Sequence, residues 1–130
     1  MTGAQARARP RAGVLVGAIA LDGVLVLTFA AIGRVSHVED LWSGLWQTAW
    51  PFLVGLALGW LVTLAWRAPS APVRTGLGVW VATVVGGMLL RAASGQGTAV
   101  PFLIVATLVL GAMLVGWRAI TALIARLRRR

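Results

Sequence analysis

The chain has 130 residues, 59% of them hydrophobic, at a mean hydropathy of +0.89, and a small soluble domain of that composition would lack the polar surface it needs. Cysteine is absent, which excludes disulfides, thiolate metal sites and cysteine nucleophiles, and the lone histidine, His37, cannot build a metal site without carboxylate partners. The net charge of +9 comes from twelve arginines and no lysine; they flank apolar runs and form no basic face with interleaved aromatics, which argues for membrane edges and against nucleic acid.

Met1 to Arg11 is a polar lead with Arg7, Arg9 and Arg11, and Ala12 to Gly33 follows as an apolar run interrupted by one charge, Asp22. At about 1.5 Å per residue this run reaches roughly 33 Å, enough for a hydrocarbon core of about 30 Å. Basic residues before an apolar run also fit a signal peptide. That class has a shorter apolar region, of about 7 to 15 residues, and no central acid, so an uncleaved first span is expected.

Arg34 to Gln47, RVSHVEDLWSGLWQ, carries Ser36 and Glu39 at capping-box spacing. After them Leu41, Trp42, Leu45 and Trp46 share one side while Glu39, Asp40, Ser43 and Gln47 lie largely on the other. The pattern predicts a short interfacial helix between spans 1 and 2, with its tryptophans at the membrane surface.

The second span covers about 48–66, and the stretch Thr48 to Arg67, TAWPFLVGLALGWLVTLAWR, returns as Thr98 to Arg118, TAVPFLIVATLVLGAMLVGWR. Both open Thr-Ala-x-Pro-Phe-Leu, and both close Trp-Arg. Before the second copy Gly95-Gln96-Gly97 is loop chemistry, so Thr98 is expected as an N-cap and Pro101 in the first helical turn, where a missing N–H costs little. By analogy Thr48 starts its own helix, and a break is expected near Gln47. The alternative is a helix continuous from His37, with a kink at Pro51.

Arg67 to Arg74, RAPSAPVR, reads as a Pro-rich connector, the third span as about 75–92 and the fourth as about 98–117. The tail, 119–130, is basic and weakly amphipathic, with Ile120, Leu123, Ile124 and Leu127 at helical spacing, and is expected along the inner membrane surface.

Four spans collect ten arginines on one side and leave Arg34 and Arg91 on the other, so the positive-inside rule puts both termini in the cytoplasm of a multi-pass protein of the cell membrane. The expected fold is all-α and polytopic: a lead 1–11, a four-helix membrane domain 12–118 and the tail. The echo suggests two hairpins related by an axis along the membrane normal. Against duplication stands the plain reading that Thr-Ala-x-Pro-Phe is good helix-start chemistry in a low-complexity apolar chain.

Rise-counting from the inner arginines places Asp22, Thr83 and Thr107 about 14 to 17 Å deep, near mid-bilayer. A carboxylate there should face the bundle, and one way to carry it is as the neutral acid bonded to a threonine hydroxyl. It would serve as a proton or substrate site; the bland reading is interhelical glue, with the threonines bonded back to their own helices. Thr83, Gly87 and Arg91 share a helix face and suggest a narrow polar track from the outer surface. Arg34, Ser36, His37, Gln96 and Thr98 suggest an outer anion or headgroup site, the alternative being interfacial arginines gripping bulk lipid phosphate. Gly55-x-x-x-Gly59, Gly13-x-x-x-Gly17 and the Gly78, Ala82, Gly86 series permit close helix contacts within the bundle.

No nucleophile with an adjacent base, paired catalytic carboxylates or phosphate loop is present in the sequence, so no enzyme, metal or cofactor is expected. The leading expectation is a small transporter-like or channel-like protein, and the alternative a membrane scaffold or assembly subunit. The expected partners are the lipid bilayer, anionic headgroups and further copies of the chain.

The motifs Ile32-Gly33-Arg34-x-Ser36-His37, Thr48-Ala49-Trp50-Pro51-Phe52, Gly87-Met88-x-x-Arg91 and Gly95-Gln96-Gly97-Thr98-Ala99 together resemble those of the domain of unknown function 3054 family. The likeness runs from about Asp22 to Arg118. It implies a small multi-span membrane protein and leaves activity open.

Overall fold

The computed structural model describes residues 12–34 and 41–129, and everything described is helix or connection. Four helices dominate: α1, Ala12–Arg34; α2, Leu41–Thr63; α3, Gly78–Ala93; and α4, Val100–Arg128. Counting the turn Pro72–Leu77 with α3, all four are long and apolar enough to cross a membrane. Their outer faces agree with that, since Val62, Leu89 and Leu108 are 78%, 66% and 67% exposed. Apolar side chains bared over the whole length of a bundle need lipid as solvent. The chain is a multi-pass membrane protein.

The expected break near Gln47 is absent. Leu41–Thr63 is one helix with Pro51 inside it, and Thr48, expected as a helix start, is a buried mid-helix residue. No separate interfacial helix exists over Leu41–Gln47, because those residues are the first turns of α2; the capping box Ser36/Glu39 lies outside the described residues. The continuity removes the main structural argument for a duplicated hairpin. Pro101 does fall in the first turn of α4, but the N-cap is Ala99 with no side-chain cap, and Thr98 stands in the loop before it.

α2 ends because Leu64 takes left-handed backbone angles, φ 53° and ψ 50°, which a leucine enters only at a cost. A short turn of Ala65–Arg67 follows, and Pro72–Leu77 then forms one wide turn, with the Gly76 N–H donating to the Ala71 carbonyl at 2.9 Å, that feeds α3. α4 runs unbroken through the basic tail to Arg128, so the expected bend after span 4 is also missing.

The most extensive contact joins α2 and α3. Small residues make it possible: a Cβ on Gly55 would meet the Thr83 carbonyl oxygen at 2.9 Å, and one on Gly59 would meet Ala82 and Val79 at 3.1 Å. This is the close approach expected of small residues four apart in lipid, where van der Waals contact has to replace the hydrophobic effect between helices. Gly13 and Gly17, expected to do the same, face open space. Around the α2–α3 pair, α1 and α4 complete the core through Val26, Leu110 and Leu114, with Phe29, Phe52 and Phe102 in mutual ring contact at 5.3 to 6.0 Å between centroids.

Candidate functional site

Asp22 occupies the middle of α1, ten residues after Ala12, and is fully buried. Its partner is Arg118 of α4, also fully buried, which meets it as a bidentate pair: Nη2 donates to Oδ2 at 2.6 Å and Nη1 to Oδ1 at 3.0 Å. Two indoles complete the carboxylate shell. Trp60 of α2 donates from Nε1 to Oδ2 and Trp117 of α4 from Nε1 to Oδ1, both at 2.8 Å. A carboxylate offers about four acceptor positions, so Asp22 is saturated by four donors from two helices other than its own.

Arg118 is equally engaged. Its Nε donates to the Pro69 carbonyl at 2.8 Å and Nη1 also to the Leu114 carbonyl at 2.9 Å, while the guanidinium carbon lies 4.6 Å from the Trp117 ring. Gly76 leaves room for the stem, since a Cβ there would meet the Arg118 Cδ at 3.2 Å. The connector thus closes against the arginine, and Thr75 fixes the connector by donating to the Ala68 carbonyl at 2.6 Å. Each buried ion alone would carry a desolvation penalty of several kcal/mol, which only such a shell of charge-assisted bonds offsets.

A second polar cluster lies at the other end of α3. Arg91 donates from Nε to the Gly97 carbonyl at 3.0 Å and from Nη1 to the Gln96 Oε1 at 3.1 Å, with its guanidinium carbon 4.2 Å from the Phe102 centroid. Gln96 in turn donates from Nε2 to the Gln47 carbonyl at 3.0 Å. That carbonyl is the one Pro51, four residues on, cannot serve, because proline has no N–H. The Gly95-Gln96-Gly97 loop, with Gly95 at φ 80°, therefore supplies the bond that lets α2 continue through its proline. Gln96, expected at an outer anion or headgroup site, bonds to Gln47, Ser94 and Arg91 with its amide.

Of the expected mid-bilayer layer, only Asp22 is in a polar cluster. Thr83 donates to the Val79 carbonyl at 2.6 Å and Thr107 to the Leu103 carbonyl at 2.7 Å, each within its own helix. The track through Thr83, Gly87 and Arg91 is filled, since the Phe52 ring occupies the space a Gly87 side chain would need. Arg91 and Gln96 do meet, as described, while Thr98 lines an apolar recess with Val84, Met88 and Leu103. The Arg34 side chain, Ser36 and His37 lie outside what is described.

The residue missed in the sequence is Arg118. It was counted to the inner edge, and its bond to Asp22 shows that the depth scale based on it was misplaced. The signal was the apolar run after it, Ala119 to Ala125, seven residues before the next charge, Arg126. A helix edge seldom continues so far without charge, whereas the tryptophan-arginine pair reads as an edge.

Residues 19–121 match the model of a family described as Protein of unknown function (DUF3054). Neither a curated protein nor a solved structure matches.

Proposed function

The chain belongs to the family of proteins of unknown function DUF3054, and from that premise we propose that it is a non-catalytic membrane scaffold or assembly subunit, a bundle locked by its buried ion pair. One observation carries the reading: every acceptor position of Asp22 is taken by Trp60, Trp117 and Arg118. A substrate that donates a hydrogen bond finds no acceptor position there. The cell membrane remains the proposed location, with both termini cytoplasmic. Removing Arg118 from the ten arginines on that side leaves nine against two, and the positive-inside bias is unchanged in sign.

Transport through the bundle is the second reading, and what favours it is the cost of keeping an ionisable pair inside a membrane span, where such residues often mark ion pathways. Because the chain has no cysteine, single substitutions separate the two. Thr48→Cys and Thr83→Cys, both at buried positions, should resist a water-soluble thiol reagent from either side of a sealed bilayer and react only after denaturation. Gly87→Cys is unsuitable because it would collide with Phe52. Labelling of Thr83→Cys in the native state, together with proton or small-anion flux in proteoliposomes that Asp22→Asn abolishes, would overturn the scaffold reading.

A further inference from the structure

The connector closes the bundle at the level of Arg118, but α1 and α4 run on past it. Ten residues of α1, Ala12–Leu21, and ten of α4, Ala119–Arg128, extend beyond the ion pair, each about 15 Å of helix. Between them opens a crevice of about 220 Å³, lined by Val14, Gly17 and Leu21 of α1, Trp117 and Thr121 of α4, and Ser70 of the connector. Its walls are almost wholly apolar. Gly17 widens it, for a Cβ there would meet nothing within 4 Å. Thr121 donates its hydroxyl proton to the Trp117 carbonyl at 2.8 Å, whereas the Ser70 hydroxyl makes no hydrogen bond among the described residues.

Beyond the crevice the last turn of α4 is basic. On a helix, positions 11 apart return to nearly the same face, so Arg128 stands on the face of Trp117 and Thr121, seven residues, or about 10 Å, beyond Thr121. It is exposed. In sequence Arg11 directly precedes α1, and Arg7 and Arg9 lie just before it. An apolar slot between two membrane helices, with an exposed arginine about 10 Å farther along one of them, matches a molecule with an acyl chain at one end and an anionic phosphate at the other.

We propose that this crevice binds one anionic phospholipid, its acyl chain between Gly17 and Trp117 and its phosphate on Arg128. The site shares Trp117 with the Asp22 shell but uses none of its hydrogen bonds, and it holds for either reading of function. It also explains Gly17, which the bundle itself does not need.

The test is native mass spectrometry of the purified full chain, titrated with phosphatidylglycerol or with phosphatidylcholine of the same acyl chains. The wild type should retain one phosphatidylglycerol with about tenfold preference. Gly17→Leu places a side chain at a crevice position where a Cβ has open space and should reduce that retention about tenfold. Arg128→Gln should weaken it about fivefold, as for one basic group near a charged surface, and added salt should shrink that difference, while Arg67→Gln on the connector leaves it unchanged. Equal retention of the two lipids, or undiminished retention by Gly17→Leu, would overturn the proposal. So would a lipid-free dimer that Gly17→Leu converts to monomer, since a second copy would then be the occupant.

Discussion

Thr48–Arg67 and Thr98–Arg118 begin and end alike, and the bundle treats their shared residues differently except at one point. Phe52 and Phe102 meet each other and Phe29 in the core. Pro51 sits in the interior of a continuous helix, whereas Pro101 starts one. Trp66 is 40% exposed and Arg67 stands exposed beside it, while Trp117 and Arg118 supply three of the four hydrogen bonds to Asp22. The cause of the last contrast is local. Leu64 turns the chain out of α2 before Trp66 is reached, and α4 continues past Arg118, so only the second Trp-Arg keeps the helical register that aims it at α1. Identical short motifs do not fix identical environments when the only buried acid among the described residues lies opposite one of them.

The largest effect should follow from exchanging the two arginines one at a time. Arg118→Leu strands Asp22 as an unpaired buried charge, and breaking a buried pair in that way costs about 3–5 kcal/mol. Arg67→Leu should change stability by no more than about 0.5 kcal/mol. Reversible unfolding in mixed micelles measures both. Removing both charges, as Asp22→Val with Arg118→Met, should recover most of the loss, because apolar replacement of a whole buried pair is often neutral. Comparable losses for Arg67→Leu and Arg118→Leu would erase the contrast.

The tryptophans come next. Trp117→Phe and Trp60→Phe each remove one hydrogen bond to an ionised carboxylate, worth about 1.5–3 kcal/mol, while keeping most of the ring volume. Trp66→Phe should be near neutral, within about 0.5 kcal/mol. If Trp60→Phe and Trp117→Phe were as silent as Trp66→Phe, the indoles would be packing groups and the saturation of Asp22 would carry no weight.

How much of this was legible in the chain follows from where the information lies. The four spans were, because length and hydropathy are local and the bilayer thickness is fixed. So was the importance of Asp22, since an acid in an apolar run has to find a partner. The partner itself was marked only by the uncharged run Ala119 to Ala125 after Arg118, and it takes the packing of α1 against α4 to turn that mark into a buried pair. The fate of Pro51 was hidden for the same reason. Whether a proline starts a helix or sits inside it depends on whether something else serves the carbonyl four residues earlier, and here that something is 49 residues away.

That last dependence yields the smallest prediction, and the one most specific to the paired stretches. If Gln96 is held at Gln47 because Pro51 leaves a carbonyl unserved, then of the cost of Gln96→Ala, which also loses the bonds to Arg91 and Ser94, about 0.5–1.5 kcal/mol should belong to the Gln47 bond. In a Pro51→Ala background the new N–H reaches the Gln47 carbonyl from within α2, and Gln96→Ala should then cost close to nothing for that bond. The double-mutant cycle over Pro51 and Gln96 isolates the coupling, since residues that share a partner are the ones expected to be non-additive. Pro101→Ala is the matched control: its N–H would fall in a first turn, where no carbonyl awaits it, so the cost of Gln96→Ala should be the same with or without Pro101. Additivity in the Pro51 cycle would mean that Gln96 is there for its bonds to Arg91 and Ser94, and that α2 passes its proline without help.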